Sequence, residues 1–148
     1  DTNEVIPNNG NTSTAELKGN IEYKNVWFAY NDKDWVLQDI NFKVKEGETL
    51  AIVGATGAGK TSIINTLSRL YDINHGEILI DGLPNTDYDL HELRESIAVV
   101  MQDVFLFSDT IYKNISLNNA DISESEVQIA AKLVGVHDFI QQLPGEYD

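Results

Sequence analysis

Thr49-Leu50-Ala51-Ile52-Val53-Gly54-Ala55-Thr56-Gly57-Ala58-Gly59-Lys60-Thr61-Ser62 is the stretch on which the fold turns. Leu50 to Val53 is an unbroken apolar run, the pattern of a strand buried on both faces. A glycine-rich loop follows, and Ile63, Ile64, Leu67 and Leu70 then recur at helical spacing. Gly54, Gly57 and Gly59 let the backbone curl without Cβ clashes, so successive N–H groups can point inward. The spacing predicts a strand, a tight loop and a helix in immediate succession.

Gly54, Gly59, Lys60 and Thr61 fall on the pattern G-x-x-x-x-G-K-[ST]. About 0.5% of random chains of this length would contain those four residues at that spacing. The helix that opens at the end of the loop adds unsatisfied N–H groups and the positive end of its dipole. Lys60 brings a full positive charge to the β- and γ-phosphates, and the Thr61 hydroxyl can sit on Mg²⁺. The stretch therefore predicts a nucleoside triphosphate site; its bland counterpart is a glycine-rich strand-to-helix turn with a surface lysine.

The chain has 148 residues, 42% of them hydrophobic, enough for one domain with a core. Twenty-four acidic against 10 basic residues give a formal charge of −14, which argues against a nucleic-acid partner. Cysteine is absent, so thiolate metal sites are excluded. His75, His91 and His137 lack ligand spacing and read as surface or helix-end residues. No run approaches the roughly 18 apolar residues that span a bilayer, and the start does not read as a signal peptide. The sequons at Asn11 and Asn114 carry no meaning in a cytosolic setting.

Residues 1–19 are polar and aperiodic, and read as a mobile linker or a leader added for expression. Ile21 to Tyr30 reads as a strand, with Val26, Phe28 and Tyr30 on one face and Tyr23 and Trp27 on the other. After an Asn31-Asp32-Lys33-Asp34 turn, Trp35 to Val44 reads as a second strand. Further strands are expected at Gly76 to Asp81 and, buried, at Ile97 to Met101; Pro84 to Asp89 reads as a loop. Helices are expected at Leu90 to Glu95 and at Ile111 to Ile115, the second behind the cap cluster Ser108-Asp109-Thr110. Ser123 and Glu126 form a capping box ahead of an amphipathic helix carrying Val127, Ala130, Ala131 and Val134. A last helical turn is expected at Asp138 to Gln142. Two strands joined by a short turn ahead of the strand–loop–helix unit suggest an antiparallel layer beside a parallel sheet.

From residue 20 to residue 148 the sequence resembles the nucleotide-binding domain of ATP-binding cassette (ABC) transporters. Val26-x-Phe28-x-Tyr30 looks like the family's adenine-stacking loop, and Gly54 to Thr61 like its Walker A loop. Arg69-Leu70-Tyr71-Asp72, with Gly76 to Gly82, is similar to the segment that follows in exporters. Val99-Val100-Met101-Gln102-Asp103 resembles the Q-loop, and Phe105 to Ile115 the stretch after it in multidrug- and lipid-type exporters. The resemblance implies an α/β P-loop NTPase (RecA-like) fold. Its parallel sheet would carry an antiparallel β layer and the start of a helical subdomain, in truncated form.

It also implies roles. Tyr30 would stack on adenine, although by itself a core aromatic reads as well. Gly54, Ala55, Thr56, Gly57, Ala58, Gly59, Lys60, Thr61 and Ser62 would cradle the phosphates of ATP, with Ser62 at the α-phosphate. Thr61 and Gln102 would hold Mg²⁺, and Lys60 and Gln102 would serve catalysis; alone, a glutamine at a strand end is a solvated side chain. Trp27, Phe28 and Trp35 read as sheet packing. The implied partners are a second nucleotide-binding domain, the same or non-identical, and a transmembrane domain that places the chain at the cytoplasmic face of the membrane.

The family's signature loop, Walker B carboxylates and switch histidine do not occur among these 148 residues. Phosphoryl transfer needs several such elements together, so the polypeptide alone is expected to bind ATP weakly and not to turn it over. It would also leave apolar edges that call for self-association or strand exchange. Two other readings stay open: a regulatory module that binds without hydrolysis, and another P-loop NTPase. A GTPase would show Asn-Lys-x-Asp, and Asn31-Asp32-Lys33-Asp34 has the wrong order.

Overall fold

β1 (Ile21–Ala29) and β2 (Trp35–Val44) form where β-branched and aromatic residues alternate, and they pair antiparallel. The computed structural model describes residues 6–31, 33–101 and 105–148. It divides into two units, Asp1–Val99 and Val100–Asp148. In the first, β1 also pairs antiparallel with β3 (His75–Ile80), which pairs with the short β4 (Leu83–Pro84). The sheet order is β2-β1-β3-β4. α1 (Lys60–Leu67) and α2 (Leu90–Glu95) complete this unit, with a 3-10 turn at Asn85–Asp87 inside the expected loop.

The strict alternation expected for β1 fails at Asn25. Asn25 and Asp39 both adopt a left-handed backbone (φ 48 each), and the register slips on either side of Val26. β1 gains one residue between Tyr23 and Val26, and β2 gains one between Leu37 and Ile40. Side chains lock this pair of bulges: Asn25 Nδ2 donates to Asp39 Oδ1 (2.8 Å), and Asn41 Oδ1 accepts from the Asn25 N–H (2.8 Å). Tyr23, expected opposite Val26 and Phe28, therefore joins them in the core, and Leu37 does too. The Tyr23 hydroxyl donates to the Ile63 carbonyl (2.7 Å), which satisfies it despite burial; that burial raises its pKa.

Ile63 and Leu67 of α1 and Leu93 of α2 pack on this face with Ile78, Ile80 and Tyr88. Ile64 and Leu70, also expected to pack, remain exposed. The C-terminal carbonyls of α1 are tied down by side chains. Asn85 Nδ2 donates to Thr66 O and Leu67 O, and the Arg94 guanidinium donates to Ser68 O and Arg69 O.

Residues 50–53 and 97–101, expected as buried parallel strands, form none, and Val53 and Val100 are almost fully exposed. A strand needs a ladder for its N–H and C=O groups. Among the described residues pairing is confined to β1–β4 and one bridge between Thr12 and Tyr88, so neither run has a partner.

Residues 6–20 are docked, where the polar composition suggested a mobile linker. Asn11 and Thr12 donate N–H bonds to Asp87 O, and Asp89 N donates to Thr12 O. Glu92 accepts from Thr14 N and Ser13 Oγ, and Asp89 from Asn8 Nδ2. Asp81 accepts from the N–H groups of Lys18, Gly19 and Asn20 and from Asn20 Nδ2. Burial pushes the Asp81 carboxyl up, but the bonds from Asn20, Lys18 and Gly19 outweigh it and bring the pKa down to about 2.

In the second unit, α3 (Ile111–Ser116) is capped by Thr110, and α4 (Glu124–Leu133) by the full Ser123/Glu126 capping box. Val127 and Ala131 of α4 are buried with Ile140 of α5 (His137–Ile140) and Tyr147. Ala130 and Val134, assigned to the same face, are exposed, because the buried stripe is narrower than the apolar one.

Candidate functional site

With the C-terminal end of α1 fastened by Asn85 and Arg94, its other end faces the glycine loop. Among the described residues no side chain caps that end: the residue before Lys60 is Gly59, left-handed at φ 82 and ψ 7. Its first-turn N–H groups therefore lack the hydroxyl or carboxylate that usually satisfies them, which is the arrangement an anion can complete. The first turn also carries no acidic residue that would repel one.

Gly59 is fixed by space as well as by φ. A Cβ there would lie 2.9 Å from both Leu37 Cδ2 and Val36 O, so the loop is seated directly on β2. Gly57 is also left-handed (φ 82) but has open space where its Cβ would point. Ala58 N donates to Ala55 O (3.2 Å), closing the loop's own turn.

The Lys60 side chain arches back over the loop, and Nζ donates to Gly54 O (2.8 Å) and Ala55 O (2.7 Å). An ammonium satisfied by two backbone carbonyls at an N–H-rich bend can exchange them for phosphate oxygens at little conformational loss. The donor set fits a polyphosphate. Thr61 lies in the first turn with its side chain exposed, free to meet a cation carried by that polyphosphate. Among the described residues no group of His, Cys, Asp and Glu could hold a metal by itself, so any ion must arrive with the ligand. Gln102, the other expected Mg²⁺ and catalytic residue, lies outside the described residues.

Tyr30 follows the last residue of β1, half exposed, and its hydroxyl lies 2.9 Å from Ser62 Oγ on the third residue of α1. Asn65 Nδ2 donates to the same hydroxyl at 3.4 Å. The structure thus brings together Tyr30, the loop 54–59, Lys60, Thr61 and Ser62 around one helix end. Two residues beside Tyr30 went unassigned in the sequence: Asn65, and Tyr71, whose ring stands perpendicular to that of Tyr30 at 4.9 Å. The signal for Tyr71 is an aromatic four residues after Leu67, at the spacing of the apolar stripe but beyond the end of α1. Trp27 and Trp35 meet edge to face (5.5 Å) at the Ala29/Trp35 end of the β1–β2 pair, consistent with packing.

Comparison with known proteins shows the family. The family model for ABC transporters matches residues 37–147. An ATP-dependent lipid A-core flippase from Saccharophagus degradans is 44% identical over 144 residues, covering 97% of this chain and 25% of that protein. A flippase of the same name from Legionella pneumophila is 40% identical over 141 residues, covering 95% of this chain and 24% of its own. A solved bacterial Atm1-family ABC exporter with ATP bound superposes with a TM-score of 0.86 at 38% identity, over 97% of this chain and 25% of that one. The chain thus spans about a quarter of the length of the relatives it matches. It has the P-loop NTPase fold of an exporter nucleotide-binding domain and belongs to the ABC transporter family.

Proposed function

We propose that this chain is the ATP-binding part of an ABC exporter's nucleotide-binding domain, coupling ATP binding and hydrolysis to export across a membrane. The observation that carries this reading is the Lys60 ammonium folded over the glycine loop at the uncapped start of α1. In the proposed role Lys60 leaves Gly54 O and Ala55 O for the β- and γ-phosphate oxygens of ATP. The N–H groups of 57–62 surround the same oxygens, Ser62 reaches the α-phosphate, and Tyr30 supplies a face for adenine. Thr61 and Gln102 would hold Mg²⁺, which when bound neutralises charge on the phosphate chain. The flippases and the Atm1-family exporter support the exporter assignment by their names and their identity to this chain.

The partners belong to the same proposal: a second nucleotide-binding domain and a transmembrane domain holding this one at the cytoplasmic face. Among the described residues no helix is long and apolar enough to cross a membrane, so the proposed span lies in another part of the protein. The 148 residues contain no signature loop, and alone they are expected to bind ATP without turning it over.

The test is single-turnover ATP hydrolysis by the full-length parent with and without Lys60→Ala. Hydrolysis that disappears in the variant supports the proposal. A parent that binds ATP but never hydrolyses it favours the regulatory module, and hydrolysis unaffected by Lys60→Ala overturns the assignment of the loop.

A further inference from the structure

The chain leaves α1 through Arg69, whose left-handed backbone (φ 50) ends the helical path. The backbone around Tyr71 is then anchored on both sides. Arg69 is buried and its Nε donates to Asp72 Oδ1 at 2.9 Å; Asn74 N donates to Trp27 O (3.0 Å) and Ala29 N to Asn74 Oδ1 (2.9 Å). Between these fixed points Tyr71 is 46% exposed, too open for its ring to be counted as core. Yet the ring makes two aromatic contacts with β1 and its end: Tyr30 at 4.9 Å and 90°, and Phe28 at 5.9 Å and 53°. Phe28, itself buried, meets Tyr30 at 4.7 Å and 78°.

Tyr30 stands at the mouth of a turn, where a side chain without neighbours would move among several rotamers. Here Phe28 and Tyr71 pack against its ring and Ser62 holds its hydroxyl, while half of the residue stays open. From this geometry we infer that Tyr71 is a positioning residue for nucleobase binding, holding the Tyr30 ring in the orientation that stacks on a base. The inference rests on the proposed reading of Tyr30 and deepens it. Tyr71 acts through Tyr30. Its contribution is pre-organisation: a ring already held loses less freedom when a ligand stacks on it. An edge-to-face aromatic contact of this kind corresponds to about three- to tenfold in affinity.

The experiment compares ATP with inorganic tripolyphosphate, which lacks a base, by calorimetric titration of the intact protein. Tyr71→Ala is expected to weaken ATP binding about three- to tenfold and to leave tripolyphosphate within about twofold. Tyr71→Phe, which keeps the ring and drops the hydroxyl, is expected to restore the ATP value. Tyr30→Ala serves as the control for the underlying reading. If Tyr30→Ala leaves the ratio of the two affinities unchanged, Tyr30 does not meet the base and both readings fall. If Tyr30→Ala collapses that ratio while Tyr71→Ala leaves it intact, only the positioning role is overturned. Equal weakening of both ligands by Tyr71→Ala would mean a general disturbance of the loop, and would also overturn it.

Discussion

Tyr30 and Ser62 hold one another: the phenol oxygen of the first lies 2.9 Å from the hydroxyl oxygen of the second, bridging the end of β1 to the first turn of α1. In the proposed complex the two residues serve neighbouring parts of ATP, Tyr30 the base and Ser62 the α-phosphate. A serine hydroxyl has one donor and two acceptor sites, so Ser62 can accept from Tyr30 while its own O–H stays available for phosphate. Because Ser62 is buried, the bond should register in stability. Tyr30→Phe and Ser62→Ala are expected to be non-additive, with a coupling of about 1 kcal/mol in a double-mutant cycle by urea denaturation. Simple additivity would show that the contact contributes nothing.

The two left-handed glycines of the loop should separate under substitution. Gly57→Ala meets open space and carries the backbone penalty alone, about 1–2 kcal/mol. Gly59→Ala adds a clash with Val36 O, an atom of the sheet backbone that cannot retreat without moving β2. It is expected to lose at least about 1 kcal/mol more than Gly57→Ala in chemical denaturation, and to abolish ATP binding. Equal losses would mean that the loop lifts off β2 freely.

The strand, helix and cap signals that were legible are those written in neighbouring residues. The aromatic and β-branched runs of β1 and β2 announce themselves by composition, and Ser123 with Glu126 announces α4 by two residues three apart. The glycine loop with Lys60 was legible because its motif encodes backbone geometry and charge together. The register of β1 was not, since it depends on Asn25 and Asp39 being left-handed at once, a coincidence fixed by side chains fourteen residues apart. Docking of residues 6–20 was invisible for a similar reason. Their polar side chains signal exposure, whereas their partners are carboxylates some sixty to eighty positions away, at Asp81, Asp89 and Glu92. Local pattern also misjudged residues 50–53, because an apolar run states a preference and a ladder needs a second segment.

Acid should release the docked segment. The Asp81, Asp89 and Glu92 carboxyls are all held below their ordinary values by donors that include Asn20, Asn8 and Thr14 respectively. A carboxylate with a lowered folded pKa contributes stability above its unfolded pKa, near 4, and loses it as pH falls through the folded value. Docking is therefore expected to be intact at neutral pH and to weaken from about pH 4 down to about pH 2, the value for Asp81. Hydrogen exchange at Lys18, Gly19 and Asn20 across that range is the measurement. Asp81→Asn, which keeps the shape but loses the charge, should exchange faster at those amides at pH 7 and respond less to acid. Unchanged protection in Asp81→Asn would assign the docking to the remaining contacts.

The run at residues 50–53 puts apolar side chains and unpaired backbone on the surface together, with Leu50 45%, Ile52 39% and Val53 91% exposed. Either feature alone is tolerable, but an unpaired extended segment with apolar side chains is a template for pairing with another chain. The isolated 148-residue chain is therefore expected to self-associate with rising concentration and to bind a hydrophobic dye. A charge blocks such pairing by having to be desolvated within it, and Val53 makes little native contact, so Val53→Lys should suppress both effects at no more than about 0.5 kcal/mol in stability. Sedimentation velocity over a concentration series decides the matter. A chain that stays monomeric and dye-silent throughout would mean that this run is sheltered in solution, and the pairing argument would fail with it.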